Sequence, residues 1–147
     1  MNDKIFNFKK VIVPVDFSDP AANALQCAAA MARQFDGEVI LVFVVEIPAH
    51  TIGTGVVLDD EAETKRQIDE RMSGLINAHL NGVKSRPEIR MGTPSEEILK
   101  VATDENADLI IIATHGHSKV RRPLGSVAER VVRQAHRPVL TIPHLGD

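Results

Sequence analysis

The sequence predicts a doubly wound α/β fold: one five-stranded parallel sheet in the order 3-2-1-4-5, flavodoxin-like or Rossmann-like in outline, with helices on both faces. Three observations point there. The apolar runs are continuous and β-branched instead of alternating, as in strands covered on both faces. Helix-start signals separate these runs at regular intervals, which gives β-α-β-α-β-α-β-α-β and right-handed crossovers. The length, 147 residues, suits one domain spanning 1–147.

Each element has its own reason. Val11-Ile12-Val13-Pro14-Val15 is the first strand. Ser18-Asp19-Pro20 then supplies an N-cap and a first-turn proline for an Ala-rich helix that ends near Phe35, before Asp36-Gly37. The run 39–45 is the second strand, and 109–113 the fourth. A weaker strand at 84–91 contains Pro87, which places it at an edge. A polar helix from Glu61 to about Leu80 carries Ile68, Met72, Leu75 and Ile76. Thr93-Pro94-Ser95-Glu96 has capping-box spacing and opens a helix to about Asp104; Ser126-Val127-Ala128-Glu129 has the same spacing and opens the last one. Val139-Leu140-Thr141-Ile142 closes the sheet. The stretch 46–60, rich in turn residues, is a long loop, and such loops are functional lids or plain linkers.

Composition narrows the partners. A net charge of −3, with no Trp or Tyr, offers neither a basic face nor stacking platforms for nucleic acid. No apolar run reaches the roughly 20 residues of a membrane helix. The amino-terminal residues do not resemble a signal region. Cys27 is the one cysteine, so no internal bridge is possible; it reads as a small apolar helix residue. These points give a cytoplasmic expectation.

In this topology the winding reverses between strands 1 and 4, and a crevice opens at their carboxyl ends. The distinctive residues fall there: Pro14-Val15-Asp16-Phe17-Ser18 after strand 1, and Ala113-Thr114-His115-Gly116 after strand 4. A basic loop with Lys119, Arg121 and Arg122 leads to Gly125-Ser126 at a helix start, where free N–H groups favour a phosphate. The plainer alternative makes Ser126 an ordinary cap and the basic residues solvated. Asp16 either binds ribose hydroxyls or a magnesium ion carried by phosphates, or satisfies N–H groups of its own turn.

Several stretches together resemble the universal stress protein family over nearly the whole chain: residues 11–18, Gly92-Thr93-Pro94, 107–116, 125–132 and Arg137-Pro138-Val139-Leu140. The resemblance implies ATP or a related adenine nucleotide as ligand, and dimers formed through the last strand. It implies nucleotide contacts from Pro14, Val15, Asp16, Val44, Ala113, Thr114, His115, Gly116, Gly125, Ser126 and Val127. Pro14 and Asp16 would flank adenine and ribose, the Val44 backbone would read the adenine edge, and Gly116, Gly125, Ser126 and Val127 would hold phosphates. The chain departs twice from the family pattern Gly-x2-Gly-x9-Gly-(Ser/Thr). Ala113 stands for the first glycine, and eight residues separate Gly116 from Gly125.

Other chemistries have weaker support. No P-loop or Gly-x-Gly-x2-Gly signature is present. His115 and His117 lack a third ligand with metal-site spacing, and the acidic Asp59-Asp60-Glu61 and Glu63 suit a helix start. No nucleophile–base pair or Gly-x-Ser-x-Gly elbow is legible. The expectation is a nucleotide-binding module, not an enzyme, with an unknown protein partner; a slow ATP hydrolase and a dimeric interaction protein with an empty crevice are the alternatives. An apolar 139–142 edge would also need cover, which a second copy provides.

Overall fold

An apolar strand that does not alternate needs cover on both faces, and the inner strands have it. The computed structural model describes residues 7–46, 61–115 and 124–143. Its elements are β1 (Lys10–Pro14), α1 (Asp19–Phe35), β2 (Glu38–Val45), α2 (Glu61–His79), β3 (Lys84–Met91), α3 (Pro94–Asp104), β4 (Leu109–Ala113), α4 (Ser126–Gln134) and β5 (Val139–Ile142). All strand pairs are parallel, in the expected order β3-β2-β1-β4-β5. The stretch 47–60, most of the expected loop, lies outside the described residues, as do His117, Lys119, Arg121 and Arg122.

Alternation sends neighbouring side chains to opposite cores. Val11, Val13, Val39, Leu41, Leu109 and Ile111 pack with α1 and α2. Ile12, Ile40, Val42, Ile110 and Ile112 pack with α3 and α4. On α1 the buried residues Ala21, Ala24, Leu25, Ala28, Ala29 and Ala32 form one stripe at helical spacing. Helix α2 buries only Ile68 and Met72 fully, and pairs Arg66 with Glu63 and Glu70 on its wet face. Burial pushes the Cys27 thiol up, in keeping with an apolar role.

The capping expectations hold for α1 and need correction elsewhere. Ser18 is the N-cap of α1, and its side chain accepts from the Ala21 N–H at 3.4 Å. Thr93 sits at the N-cap of α3 but makes no side-chain cap bond. The N-cap of α4 is Gly125, and Ser126 is already the first helical residue. The register is set by backbone: Gly125 N–H donates to Thr114 C=O at 2.6 Å, and its own C=O accepts from Glu129 N–H at 2.9 Å.

Two residues within the family-like stretches fasten the amino ends of the strands. The Asp108 carboxylate accepts from the Lys9 and Lys10 N–H groups at 3.1 and 2.9 Å, tying β4 to β1. Arg137 Nη1 donates to the carbonyls of Ala102 and Ala107, both at 2.7 Å, locking the end of α3 to the approach of β5. Gly37 belongs to the same end: a Cβ there would lie 2.5 Å from the Lys9 carbonyl oxygen.

The sheet has two unlike edges. On β3, Gly92 N–H donates to Val45 C=O, so residues of that parity face β2 and Pro87 faces outward. Proline there removes an exposed donor without breaking the ladder. Charge lines β3 too: Arg86 contacts Glu88 at 3.2 Å and Glu105 at 2.5 Å, and Arg90 contacts Glu88 at 2.9 Å. Edge strand β5 has neither device.

Gly37→Ala is expected to lower stability by about 1–3 kcal/mol, because the clash is with backbone; the urea midpoint measures it. Arg86 holds the Glu105 carboxyl below its ordinary value of 4.5. A carboxyl lowered on folding contributes stability that is complete above its unfolded value and is lost as pH falls through its folded one. Glu105→Gln is expected to flatten the acid side of the stability profile below about 4.5, and to cost at most about 1 kcal/mol at neutral pH.

Candidate functional site

The crevice begins where one ladder stops. Strand β1 stays paired with β2 as far as Pro14 and Val42, and Val15 N–H still donates to Val42 C=O at 2.8 Å. Its pairing with β4 covers only Val11 with Leu109 and Ile12 with Ile110. Parity explains the difference. Amides at 11, 13 and 15 point to β2, so the one at 14 would point to β4 and donate to Ile111. Proline has no N–H to give, and the strands part there.

A cavity of about 660 Å³ occupies the gap, within the usual range for a small-molecule site. Pro14, Val15 and Asp16 form its wall at the end of β1; Val44 belongs to the β2 wall, and Ala113, Thr114 and His115 to the β4 wall. Gly125, Ser126 and Val127 close it at the start of α4. The structure thus brings together every sequence-predicted site residue except Gly116, which lies outside the described residues. The sequence reading gave no place in the crevice to Glu46, Thr64, Pro94 or Ile98, which also line it. Thr64 and Ile98 come from helices whose docking depends on tertiary packing, and no local signal marks them.

Val44 presents backbone. Val42 C=O serves β1 and Val45 C=O serves β3, so by alternation the Val44 N–H and C=O face the β1 side. Strand β1 has ended there. The result is a donor and an acceptor side by side at the crevice wall.

Asp16 stands where the crevice needs a carboxylate and also serves its own turn. It lines the cavity, and its Oδ1 accepts from Ser18 N–H at 3.1 Å and from Ser18 Oγ. Phe17 between them adopts φ 63°, in the left-handed region. For a bulky residue this costs on the order of 1–3 kcal/mol and persists only where the surroundings impose it. The Phe17 ring is held from two sides: Phe43 lies 4.8 Å away centroid to centroid, and the Arg71 guanidinium sits 4.0 Å over the ring. Sequence reasoning assigned no role to Phe17 or Arg71, since a left-handed phenylalanine has no local signature.

At the opposite wall His115 Nδ1 lies 3.2 Å from Thr114 Oγ1, while its Nε2 is buried without a hydrogen-bond partner. Gly125 is glycine for a packing reason as well: an added Cβ would lie 3.0 Å from the Thr114 carbonyl oxygen. Ser126 and Val127, in the first turn of α4 where amides lack helical partners, lie on the cavity wall. Among the described residues no three His, Cys, Asp or Glu gather to hold a metal, and His117 of the weighed histidine pair lies outside them. Chemically the crevice offers a hydrogen-bonding edge for a flat heterocycle, a carboxylate for hydroxyls and a helix start for an anion.

Pro14→Val restores an amide that the register aims at Ile111. Hydrogen exchange is expected to show that amide protected by about two- to tenfold, the worth of one ladder bond.

Comparison with known proteins agrees with this layout. Residues 7–143 match the model of the universal stress protein family. The universal stress protein MJ0577 of Methanocaldococcus jannaschii is 35% identical, over 92% of this chain and 94% of its own. MJ0531 of the same organism is also 35% identical, over 92% of this chain and 82% of its own. The solved structure of MJ0577 superposes with a TM-score of 0.78 at 33% identity, covering 96% of this chain and 99% of that one. A universal stress protein from Archaeoglobus fulgidus, solved in complex with dAMP, superposes with a TM-score of 0.66 at 25% identity, covering 93% and 99%. The chain belongs to the universal stress protein family.

Proposed function

We propose that the chain is a non-catalytic stress-response or regulatory module that binds ATP or a related adenine nucleotide in the switch-point crevice. The carrying observation is the convergence of three unlike groups on one largely apolar cavity: the unpaired Val44 backbone edge, the Asp16 carboxylate and the start of α4. Adenine has a donor and an acceptor on one edge and fits the first. Ribose hydroxyls fit the second. Phosphate fits the third. The residues present suit such a ligand, and the buried, unpartnered His115 Nε2 marks a polar group available to it. Magnesium would enter on the phosphates, with Asp16 as its protein carboxylate. The dAMP complex of the Archaeoglobus relative supports an adenine nucleotide.

The proposal includes a homodimer through β5. Ile110 N–H donates to Pro138 C=O and Thr114 N–H to Ile142 C=O, so Val139 and Thr141 turn their backbone groups outward. The blunted β3 offers no comparable row. It also includes a cytoplasmic location, consistent with a single cysteine, and one domain over 1–147.

Calorimetric titration with Mg-ATP is expected to give micromolar binding, weakened at least about tenfold by Asp16→Ala, the worth of one hydrogen bond to a charged group. Absence of binding would leave a dimeric interaction module with an empty crevice. Thr141→Pro removes an outward amide; light scattering should report a monomer while circular dichroism is unchanged. A dimer that survives this change would rule out β5 pairing.

A further inference from the structure

We propose that Arg71 is a positioning residue for the crevice: standing over the Phe17 ring, it clamps α2, which carries one wall, to the turn after β1, which carries another. The inference rests on the nucleotide reading above and goes beyond it, because neither Arg71 nor Phe17 lines the cavity.

Thr64, Ile68 and Arg71 recur at i, i+4 and i+7, so they share one face of α2. The first two line the cavity. Arg71 comes one turn later, and its guanidinium lies 4.0 Å from the centre of the Phe17 ring. That ring lies 4.8 Å from the ring of Phe43, tilted by 30°, and Phe43 again lines the cavity. A stack of Phe43, Phe17 and Arg71 thus runs from the crevice wall at β2, through the turn after β1, to α2. Two features give the clamp weight. Helix α2 buries only Ile68 and Met72 fully, so one further contact is a sizeable part of its docking. Phe17 holds φ 63°, a backbone that its surroundings must impose, and the stack grips its ring from both sides. The other arginine of α2, Arg66, pairs with Glu63 and Glu70, whereas Arg71 is turned to the ring. A ligand that touches both walls needs them at a fixed separation. A clamp that sets the separation in advance lowers the ordering cost of binding.

The test combines hydrogen exchange along α2 with calorimetric titration by Mg-ATP, on the same proteins. In Arg71→Met, which keeps the apolar stem, the α2 amides from Thr64 to Met72 are expected to exchange about two- to fivefold faster without ligand, the worth of an exposed cation–π contact. Mg-ATP should return them to the wild-type rate. Its Kd should rise by the same factor, because the ligand now does the ordering that the clamp did. Arg71→Lys keeps the cation and should recover both readouts. A contact that served α2 alone would speed exchange in Arg71→Met and leave the Kd unchanged, and that result would overturn the proposal. Unchanged α2 exchange in Arg71→Met would overturn it as well. Both results would spare the nucleotide reading, whereas a wild-type protein that binds no Mg-ATP would overturn the two together.

Discussion

The arrangement of this molecule depends on one missing hydrogen bond. A parallel sheet buried on both faces has little reason to open, since each added pair satisfies backbone and buries side chains. Pro14 supplies the reason, because it occupies a position whose amide would serve β4. Strand β1 therefore remains with β2 and leaves β4, and everything at the crevice follows from that separation. The Val44 backbone is exposed because β1 has ended. Asp16 reaches the cavity because it is the second residue beyond the parting. On the other side β4 is held by Thr114 to β5 and to the start of α4, so the far wall stays in place.

The two ends of the sheet are organised on opposite principles. At the amino ends every device closes a gap: Asp108 bridges β4 to β1, Arg137 gathers two carbonyls, and Gly37 lets backbones approach within a distance no side chain would permit. At the carboxyl ends groups are held apart or held in tension, as with Phe17 in its left-handed conformation. Stability and binding are thus separated in space along each strand. This division lets one end carry strained backbone while the other restrains the sheet.

Much of this was legible in the sequence, and the parts that were not share a cause. The alternation of strands with helix starts pointed to the sheet order, Pro87 to its edge, and the residues following strands 1 and 4 to the place of the crevice. The start of α4 at Ser126 was legible but its N-cap was not, because Ser126 and Glu129 have the spacing of a capping box while the hydrogen bond between Gly125 and Thr114 is non-local. The glycine at 125 invited a phosphate explanation, yet the nearest demand on it is the Thr114 carbonyl. Phe17, Arg71, Thr64 and Ile98 came into view only with the packing of α2 and α3. Local patterns report local needs, and these residues answer to partners far along the chain.

The inequality of the two sheet edges bears on growth. A chain with two receptive edges of matching shape can add neighbours without end, and the product is a fibre. Here Pro87 and the charged row of Arg86, Glu88 and Arg90 make β3 a poor acceptor, while β5 keeps its outward amides. One receptive edge permits one neighbour, and a two-fold pair would turn outward only its two blunted β3 edges. In an assembly built through β5, Pro87 and the charges beside it would make the difference between a finite product and an open-ended one.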